Sequence, residues 1–284
     1  MEIADRMESF PLMSELVKDK ATICIVNYKT LDFTRLCLRS IRRFTRYPYE
    51  IIVVDNDSQD ASVEYLRGLR WIRLIERRAD SGRAGGGYAH AAALDLGLQN
   101  CNTEFFVAMH SDTIIHKDNW LTELIDCFGE DENVACVGSD KIELTPKWQI
   151  LLKKVTDWRT FKRKLLREPD PFGKYRYYNR TICCLYRAVV LRRERLSFLI
   201  DKDKGLTVGQ KLYFELVDRG YRTVELSPFV MGRYVIHLAH ATQAINPDEF
   251  SLRKKTIRKC NRLVEKVMSS AIVQSILADD SLDR

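Results

Sequence analysis

The feature that most constrains the fold of this chain is the alternation of short β-branched apolar runs with longer helix-periodic segments. Five runs have the character of buried strands, at residues 22–26, 51–54, 71–75, 105–109 and 134–137. Four intervening segments carry apolar residues three or four apart, as helices do, at residues 31–44, 62–69, 89–99 and 120–128. This alternation predicts βαβ units and a single, mostly parallel α/β sheet flanked by helices.

The second half of the chain is less regular and contains two strongly basic segments. Strands are predicted at residues 181–186, 222–226 and 235–237, and helices at 208–219 and 251–277. The net charge of the 284 residues is only +7, yet residues 147–167 hold eight Lys or Arg against one acid. Residues 251–266 hold seven against one, so the remainder of the chain is mildly acidic.

Composition excludes several classes of protein. With 45% hydrophobic and 30% charged residues, the chain is neither disordered, collagenous nor a disulfide-stabilised mini-protein. Eight cysteines show no C-x-x-C pair and no zinc-site spacing, which favours reduced core thiols. The first twenty residues lack the pattern of a signal peptide, and no apolar run is long enough to span a bilayer. We therefore expect a cytoplasmic protein, with any membrane contact being peripheral.

Ligands of parallel α/β sheets bind outside the carboxyl ends of the strands, so the residues that follow each strand are functional candidates. These are unusually polar here, at 27–28, 55–60, 80–87 and 110–112. Three linked segments carry a family resemblance: Cys-Ile-Val-Asn-Tyr at 24–28, Leu-Cys-Leu-Arg-Ser-Ile at 36–41, and Val-Val-Asp-Asn-Asp-Ser-Gln-Asp at 53–60. In this order and spacing they resemble the family-2 glycosyltransferases, which are inverting enzymes of the GT-A fold. The likeness extends with decreasing clarity to about residue 242. It implies a Rossmann-like sheet, a nucleoside-diphosphate-sugar donor and a divalent metal, Mn²⁺ or Mg²⁺.

Five residues are expected to contact the donor besides the metal ligands. Asp55 can accept the imide N–H of uracil or thymine, which favours UDP or dTDP, or it can simply form an Asx turn. Asn27 and Tyr28 are expected to contact base and ribose, with strand-end packing as the alternative. Arg83 and His90 belong to the glycine-rich segment before a predicted helix, and are expected to contact the diphosphate unless that loop is merely flexible.

The resemblance places the Asp-x-Asp metal motif of the family at residues 110–112, where the first Asp is replaced by His110. Asp112 is expected to hold the metal and thereby the donor diphosphate. His110 is expected to be a second ligand, and its imidazole suits Mn²⁺ better than Mg²⁺. The alternatives are a helix cap for Asp112 and packing for His110. A histidine after the last strand completes the implied ligand set; His237 matches its position better than His240.

The catalytic base is the point at which the chain departs most from the family. Residues 219–222, Arg-Gly-Tyr-Arg, match a family segment, but the acidic pair expected one helix earlier falls on Val208-Gly209. Neither residue can deprotonate an acceptor hydroxyl. Asp201 and Asp203 are therefore the candidate catalytic bases, and Glu215 is a further acid nearby.

These interpretations predict a glycosyltransferase domain at residues 1–250, with a donor half at about 20–115 and an acceptor half at about 116–250. A basic amphipathic helix is predicted at 251–284, suited to docking, homodimerisation or membrane binding. Cations interleaved with apolar residues at 147–167 favour a lipid-linked or anionic glycan acceptor and peripheral contact with an anionic membrane, although such a face also packs against its own domain. Nucleic acid is not an expected partner, since the body is acidic and has no recognised RNA- or DNA-binding motif.

Two rival functions remain. A non-catalytic nucleotide-sugar-binding or scaffold subunit is favoured by the two departures, His110 and Val208-Gly209. A nucleotidyltransferase is disfavoured because its glycine-rich loop belongs after the first strand, where residues 27–30 are Asn-Tyr-Lys-Thr.

Overall fold

The computed structural model describes residues 16–78, 86–140, 177–200, 206–239, 241–248, 250 and 253–284. Its strands are β1 (Val17–Asn27), β2 (Tyr49–Asp55), β3 (Arg73–Glu76), β4 (Thr103–His110), β5 (Thr113–Ile115), β6 (Val134–Gly138), β7 (Cys183–Arg187), β8 (Arg222–Glu225) and β9 (Val235–His237). Its helices are α1 (Leu31–Phe44), α2 (Ala61–Gly68), α3 (Gly86–Gln99), α4 (Trp120–Asp126), α5 (Ala188–Arg193), α6 (Gln210–Asp218), α7 (Pro228–Met231), α8 (Ala241–Ile245), α9 (Lys254–Met268) and α10 (Ala271–Leu277). A 3₁₀ turn spans Asp280–Asp283.

Seven strands form one sheet in the order β3-β2-β1-β4-β7-β6-β8, and β5 pairs with β9 in a small second sheet. Neighbouring strands of the large sheet are parallel except that β7 runs antiparallel to both β4 and β6. The prediction of a mostly parallel α/β sheet is confirmed. In the β1 register, Asn27 pairs with Asp55 on one side and Val26 pairs with His110 on the other. The carboxyl ends of β1, β2 and β4 therefore meet at one edge.

Both faces of the sheet are covered, which explains why its central strands are continuous apolar runs rather than alternating ones. Successive side chains of a strand point to opposite faces. Ile23 accordingly belongs to the core beneath α1, α2 and α4, while the next residue, Cys24, belongs to the core beneath α3, α5 and α6. Helix α3 approaches β1 most closely at Gly97, where an added Cβ would lie 2.2 Å from the Cys24 sulfur.

The C-terminal region corrects one prediction. Instead of a single helix over residues 251–277, the structure has α9 and α10, which meet at Ser269 and Ser270. The Ser270 hydroxyl donates to the carbonyl of Val267 at 2.6 Å, and this local bond competes with continuation of the helix. Helix α10 packs against α1, and residues of α9 join the same apolar cluster, which includes Leu36 and Ile276. No helix of the described ranges is long and apolar enough to cross a bilayer.

A buried guanidinium joins the C-terminal turn to the first half of the chain. Arg39 of α1 is only 3% exposed. Its Nε and Nη2 donate to the two carboxylate oxygens of Asp283, and Nη2 also donates to Asp280. Tyr65 of α2 donates to Asp283 as well, at 2.8 Å. The charge of Arg39 is thus balanced inside the protein by the last turn of the chain.

We expect Asp283→Asn to lower the free energy of unfolding by about 1.5–3 kcal/mol, because a charge-assisted pair to a buried guanidinium is lost. Urea denaturation with an unchanged m-value would measure this. Asp280→Asn is the matched control, since the Asp280 side chain is 83% exposed and its ion pair should contribute little. Equal effects of the two substitutions would contradict this interpretation.

Candidate active site

The amide of Asn27 organises the sheet edge at which β1 and β2 end. Asn27 is fully buried. Its Nδ2 donates to Asp55 at 2.7 Å and to Ser62 at 2.8 Å, while its Oδ1 accepts from Thr34 at 2.7 Å. Both halves of the amide are therefore bonded within the protein. Asn27 shapes the loop that follows β2, and direct contact with the donor stays a prediction.

Asp55 forms an Asx turn, which was predicted from the sequence as the alternative to contact with the donor base. Its two carboxylate oxygens accept from the hydroxyl and the backbone N–H of Ser58, at 2.6 and 3.0 Å. Next along the loop, Asn56 accepts a hydrogen bond from Arg77 at 2.7 Å. Arg77 is not among the residues predicted from the sequence, because the third strand was predicted to end at residue 75, whereas β3 ends at Glu76 and Arg77 directly follows it.

Tyr28 lies against a residue from the far end of the chain. Its ring meets that of Phe250 edge-on, with 6.4 Å between centroids. Phe250 also reaches the start of α3, since a Cβ added to Gly86 would lie 3.1 Å from its ring. An aromatic pair thus borders the strand edge where the donor base and ribose are expected. No motif or spacing in the sequence predicted that Phe250 would lie there.

Three predicted metal ligands come together beside this edge. The ligand atoms of His110, Asp112 and His237 all lie within 4.8 Å of one another. The Asp112 Oδ1 is 3.2 Å from Nε2 of His237 and 3.8 Å from Nδ1 of His110. Pairing of β5 with β9 causes this, because Thr113 is opposite His237 and Leu238 donates its backbone N–H to the Asp112 carbonyl. Two imidazoles and one carboxylate are a donor set that suits divalent transition metals.

The electrostatics of this cluster match what a metal site requires. Burial, aided by the neighbouring His90, lowers the pKa of His110 to about 3. Burial raises the pKa of Asp112, but the charge and hydrogen bond of His237 outweigh this and leave the pKa below its ordinary value. His110 is therefore neutral and Asp112 ionised near neutral pH, as metal ligands must be. His110 keeps 32% of its side chain exposed, so the cluster is open on one side.

His90 extends the cluster into α3. Its ring meets the His110 ring edge-on at 5.0 Å, and its Nε2 is buried without a hydrogen-bond partner among the described residues. The other predicted site residues, Arg83, Asp201, Asp203 and His240, lie outside the described residues, as does the basic segment 147–167.

A short hydrogen-bonded chain connects the loop after β2 to the cluster of His110, Asp112 and His237. The Thr30 hydroxyl donates to Oδ1 of Asn27 at 3.2 Å and lies 3.3 Å from the hydroxyl of Ser111. Ser111 stands between His110 and Asp112 in the sequence. The loop after β2 and the turn after β4 thus form one continuous site rather than two.

Acidification should destabilise the fold through the histidines of this site. Burial lowers the pKa of His90 to about 4 from an ordinary 6.5, so below pH 6.5 the unfolded chain binds more protons and stability falls as the pH drops. Each such histidine contributes up to about 1.4 kcal/mol per pH unit. We expect the stability of His90→Gln, measured by urea denaturation, to fall less steeply than that of the wild type between pH 6 and 4.

Comparing the wild type with His90→Gln removes the contribution of Asp95, which changes stability with pH in the opposite direction. Burial raises the pKa of Asp95 to about 6, so this carboxyl stabilises the fold as the pH falls over the same range. Asp95 is present in both proteins and cancels in the difference. Parallel curves for wild type and His90→Gln would contradict the assignment.

The sheet order and the polar edge at which β1, β2 and β4 end are those of the GT-A fold. Residues 22–193 match the family model described as Glycosyl transferase family 2, and the chain belongs to this family. The resemblance carried by residues 24–60 is thereby confirmed.

A solved structure has a similar fold. A mannosyltransferase, PcManGT from Pyrobaculum calidifontis in complex with GDP-Man and Mn²⁺, aligns with a TM-score of 0.51 and 17% identity. The alignment covers 79% of this chain and 60% of the mannosyltransferase, so this chain spans less than two thirds of that protein. TarS 1–349 of S. aureus in complex with UDP-GlcNAc aligns with a TM-score of 0.49 and 13% identity, covering 91% of this chain and 71% of TarS 1–349. No curated protein matches the sequence significantly.

Proposed function

We propose that the protein transfers a sugar from a nucleoside diphosphate to an acceptor hydroxyl, with inversion and with the help of a divalent metal. The observation that carries this proposal is the convergence of His110, Asp112 and His237 beside the loop that follows β2. This is the sheet edge at which nucleotides bind in open α/β folds. Inversion is what family membership implies.

The residues of the cluster suit Mn²⁺ better than Mg²⁺. Magnesium prefers all-oxygen octahedra, whereas imidazole nitrogen favours later divalent metals. A bound metal would neutralise charge on the departing diphosphate, the main demand of sugar transfer. The mannosyltransferase of similar fold was solved with GDP-Man and Mn²⁺, which supports the pairing of a nucleotide sugar with Mn²⁺.

The donor base is proposed to lie against the Asp55 loop, between Tyr28 and the Asn56–Arg77 pair. Oδ2 of Asp55 accepts one described hydrogen bond, from the Ser58 N–H, and a carboxylate oxygen accepts two. An imide N–H is the group that would use the remaining lone pair. Uracil and thymine are therefore the favoured bases.

Thermal unfolding in the presence of UDP, dTDP, GDP and CDP, each with and without Mn²⁺, tests donor binding. We expect UDP or dTDP with Mn²⁺ to stabilise the protein by about 2.7 kcal/mol at ~100 times the dissociation constant. Release of free nucleoside diphosphate from the matching sugar donor then separates an enzyme from a scaffold subunit. Binding without any release, with or without acceptors, would favour the scaffold.

Two histidine variants provide the matched control for the metal. His237→Gln removes a proposed ligand, so the Mn²⁺-dependent part of the shift should disappear. His116→Gln replaces a partly buried histidine outside the cluster and should leave that part unchanged. If both variants respond to Mn²⁺ as the wild type does, His237 is not a ligand.

The acceptor is proposed to be a lipid-linked or anionic glycan, bound with the help of the basic segment 147–167 at an anionic membrane surface. Replacing Lys162, Arg163 and Lys164 by Gln should weaken binding to vesicles of phosphatidylglycerol and phosphatidylcholine by about 1 kcal/mol per charge. Sedimentation with vesicles at constant salt measures this change, and nucleotide binding should not alter.

A control of equal charge removes three exposed cations from the described surface, at Lys18, Arg70 and Lys117. If this triple variant loses as much vesicle binding as the first, the effect is one of net charge and the segment has no special role. Asp201 and Asp203 stay the proposed bases that take the acceptor proton.

A further inference from the structure

His110 and Gly209 lie at the two places where the chain departs from its family, and the same residue borders both. That residue is Thr181, which precedes β7 and is 4% exposed. We propose that Thr181 and Gly209 are positioning residues of the metal site: the Thr181 hydroxyl fixes the His110 ring, and Gly209 leaves the space that Thr181 occupies. This inference rests on the proposed role of His110 as a metal ligand.

One ring nitrogen of His110 contacts Thr181, and the other faces Asp112. Nε2 lies 3.3 Å from the Thr181 hydroxyl, while Nδ1 faces the carboxylate of Asp112 at 3.8 Å. The backbone fixes the two partners as well, because His110 donates its N–H to the Ile182 carbonyl at 3.1 Å. Metal-bound histidines keep a proton on the nitrogen that does not ligate, and donate it to an oriented acceptor. Thr181 is placed to be that acceptor, which leaves Nδ1 free for the metal.

Gly209 determines whether Thr181 can stay in place. A Cβ added to Gly209 would lie 2.7 Å from the Cγ2 methyl of Thr181, closer than real Cβ contacts come. The φ of +77° at Gly209 disfavours other residues too. A carboxylate at position 209 would therefore displace the threonine that orients His110. The two departures are physically connected, since a histidine ligand held in this way requires a glycine where the family has an acid.

Gly220 provides a matched control within the same region. Its φ of +85° imposes the same backbone strain on a substituted residue, but an added Cβ would meet nothing within 4 Å. Substitution of Gly220 therefore separates the effect of strain from the effect of contact with Thr181.

The first test removes the hydroxyl while keeping the shape of the side chain. Mn²⁺ affinity is measured by electron paramagnetic resonance of the free ion, without nucleotide or turnover. Thr181→Val should weaken Mn²⁺ binding about 10–100-fold, the usual cost of losing a partner behind a metal ligand. Thr181→Ser keeps the hydroxyl and should bind as the wild type does. Equal Mn²⁺ affinity in Thr181→Val and the wild type would overturn the role of Thr181. Circular dichroism and the Tm establish that each variant is folded.

The second test concerns the contact between residues 209 and 181. Gly209→Ala should weaken Mn²⁺ binding, whereas Gly220→Ala should lower the Tm and leave the affinity unchanged. Serine lacks the Cγ2 methyl, so adding Thr181→Ser to Gly209→Ala should restore most of the lost affinity. Unchanged affinity in Gly209→Ala, or no recovery in the double variant, would overturn the role of Gly209.

Asp112→Ala distinguishes this inference from the proposed function. If the wild type binds Mn²⁺ and Asp112→Ala does not, the metal site stands, and the Thr181 and Gly209 variants decide the inference alone. If the wild type itself does not bind Mn²⁺, the proposed metal site and the inference fall together.

Discussion

The parallel register of β1 with β2 and β4 is the constraint on which the site depends. It brings Asn27, Asp55 and His110 to one edge of the sheet, and the buried amide of Asn27 then fixes the loop beyond Asp55. A buried amide with unmet hydrogen bonds is costly, so the loop has little freedom to adopt another form. The same amide accepts from Thr30, which reaches Ser111 in the metal turn. Packing of the central strands thus determines the geometry of both parts of the site.

Much of this arrangement could be predicted from the sequence because it follows from local pattern. Helix α1 has the predicted bounds, Leu31–Phe44, since its apolar spacing is unambiguous. The residues beside the strand ends were found by the same logic, and the structure brings the predicted trio His110, Asp112 and His237 together. Thr181 and Gly209 could not be found this way, because their importance lies in contacts between segments distant in sequence. The break between α9 and α10 has no comparable signal in the apolar spacing, and the packing of α10 against α1 joins segments distant in sequence.

The histidine at the first position of the Asp-x-Asp motif changes the character of the proposed metal site. Two carboxylates would bring two negative charges, whereas a neutral His110 and an ionised Asp112 bring one. A less negative site attracts hard cations less and must rely more on directional bonds from nitrogen. Directional bonds require oriented rings, which makes the neighbours of His110 matter more than the neighbours of a carboxylate would. Two contacts are proposed to supply this orientation: the Thr181 hydroxyl at Nε2 and the Asp112 carboxylate at Nδ1.

If Thr181 orients His110 as proposed, the absence of an acid at position 209 follows from the geometry of the proposed metal site and is not independent evidence that catalysis was lost. A side chain at position 209 would meet the Cγ2 methyl of Thr181 at 2.7 Å, so an acid at that position and the proposed orientation of His110 would compete for the same space. A transferase with this site must take its base from another element. The scaffold alternative requires no base, but it gives no reason for a buried, ionised Asp112 between two imidazoles, an arrangement that stabilises the fold less than an apolar cluster would. The proposed divalent metal would give that charge a partner inside the protein.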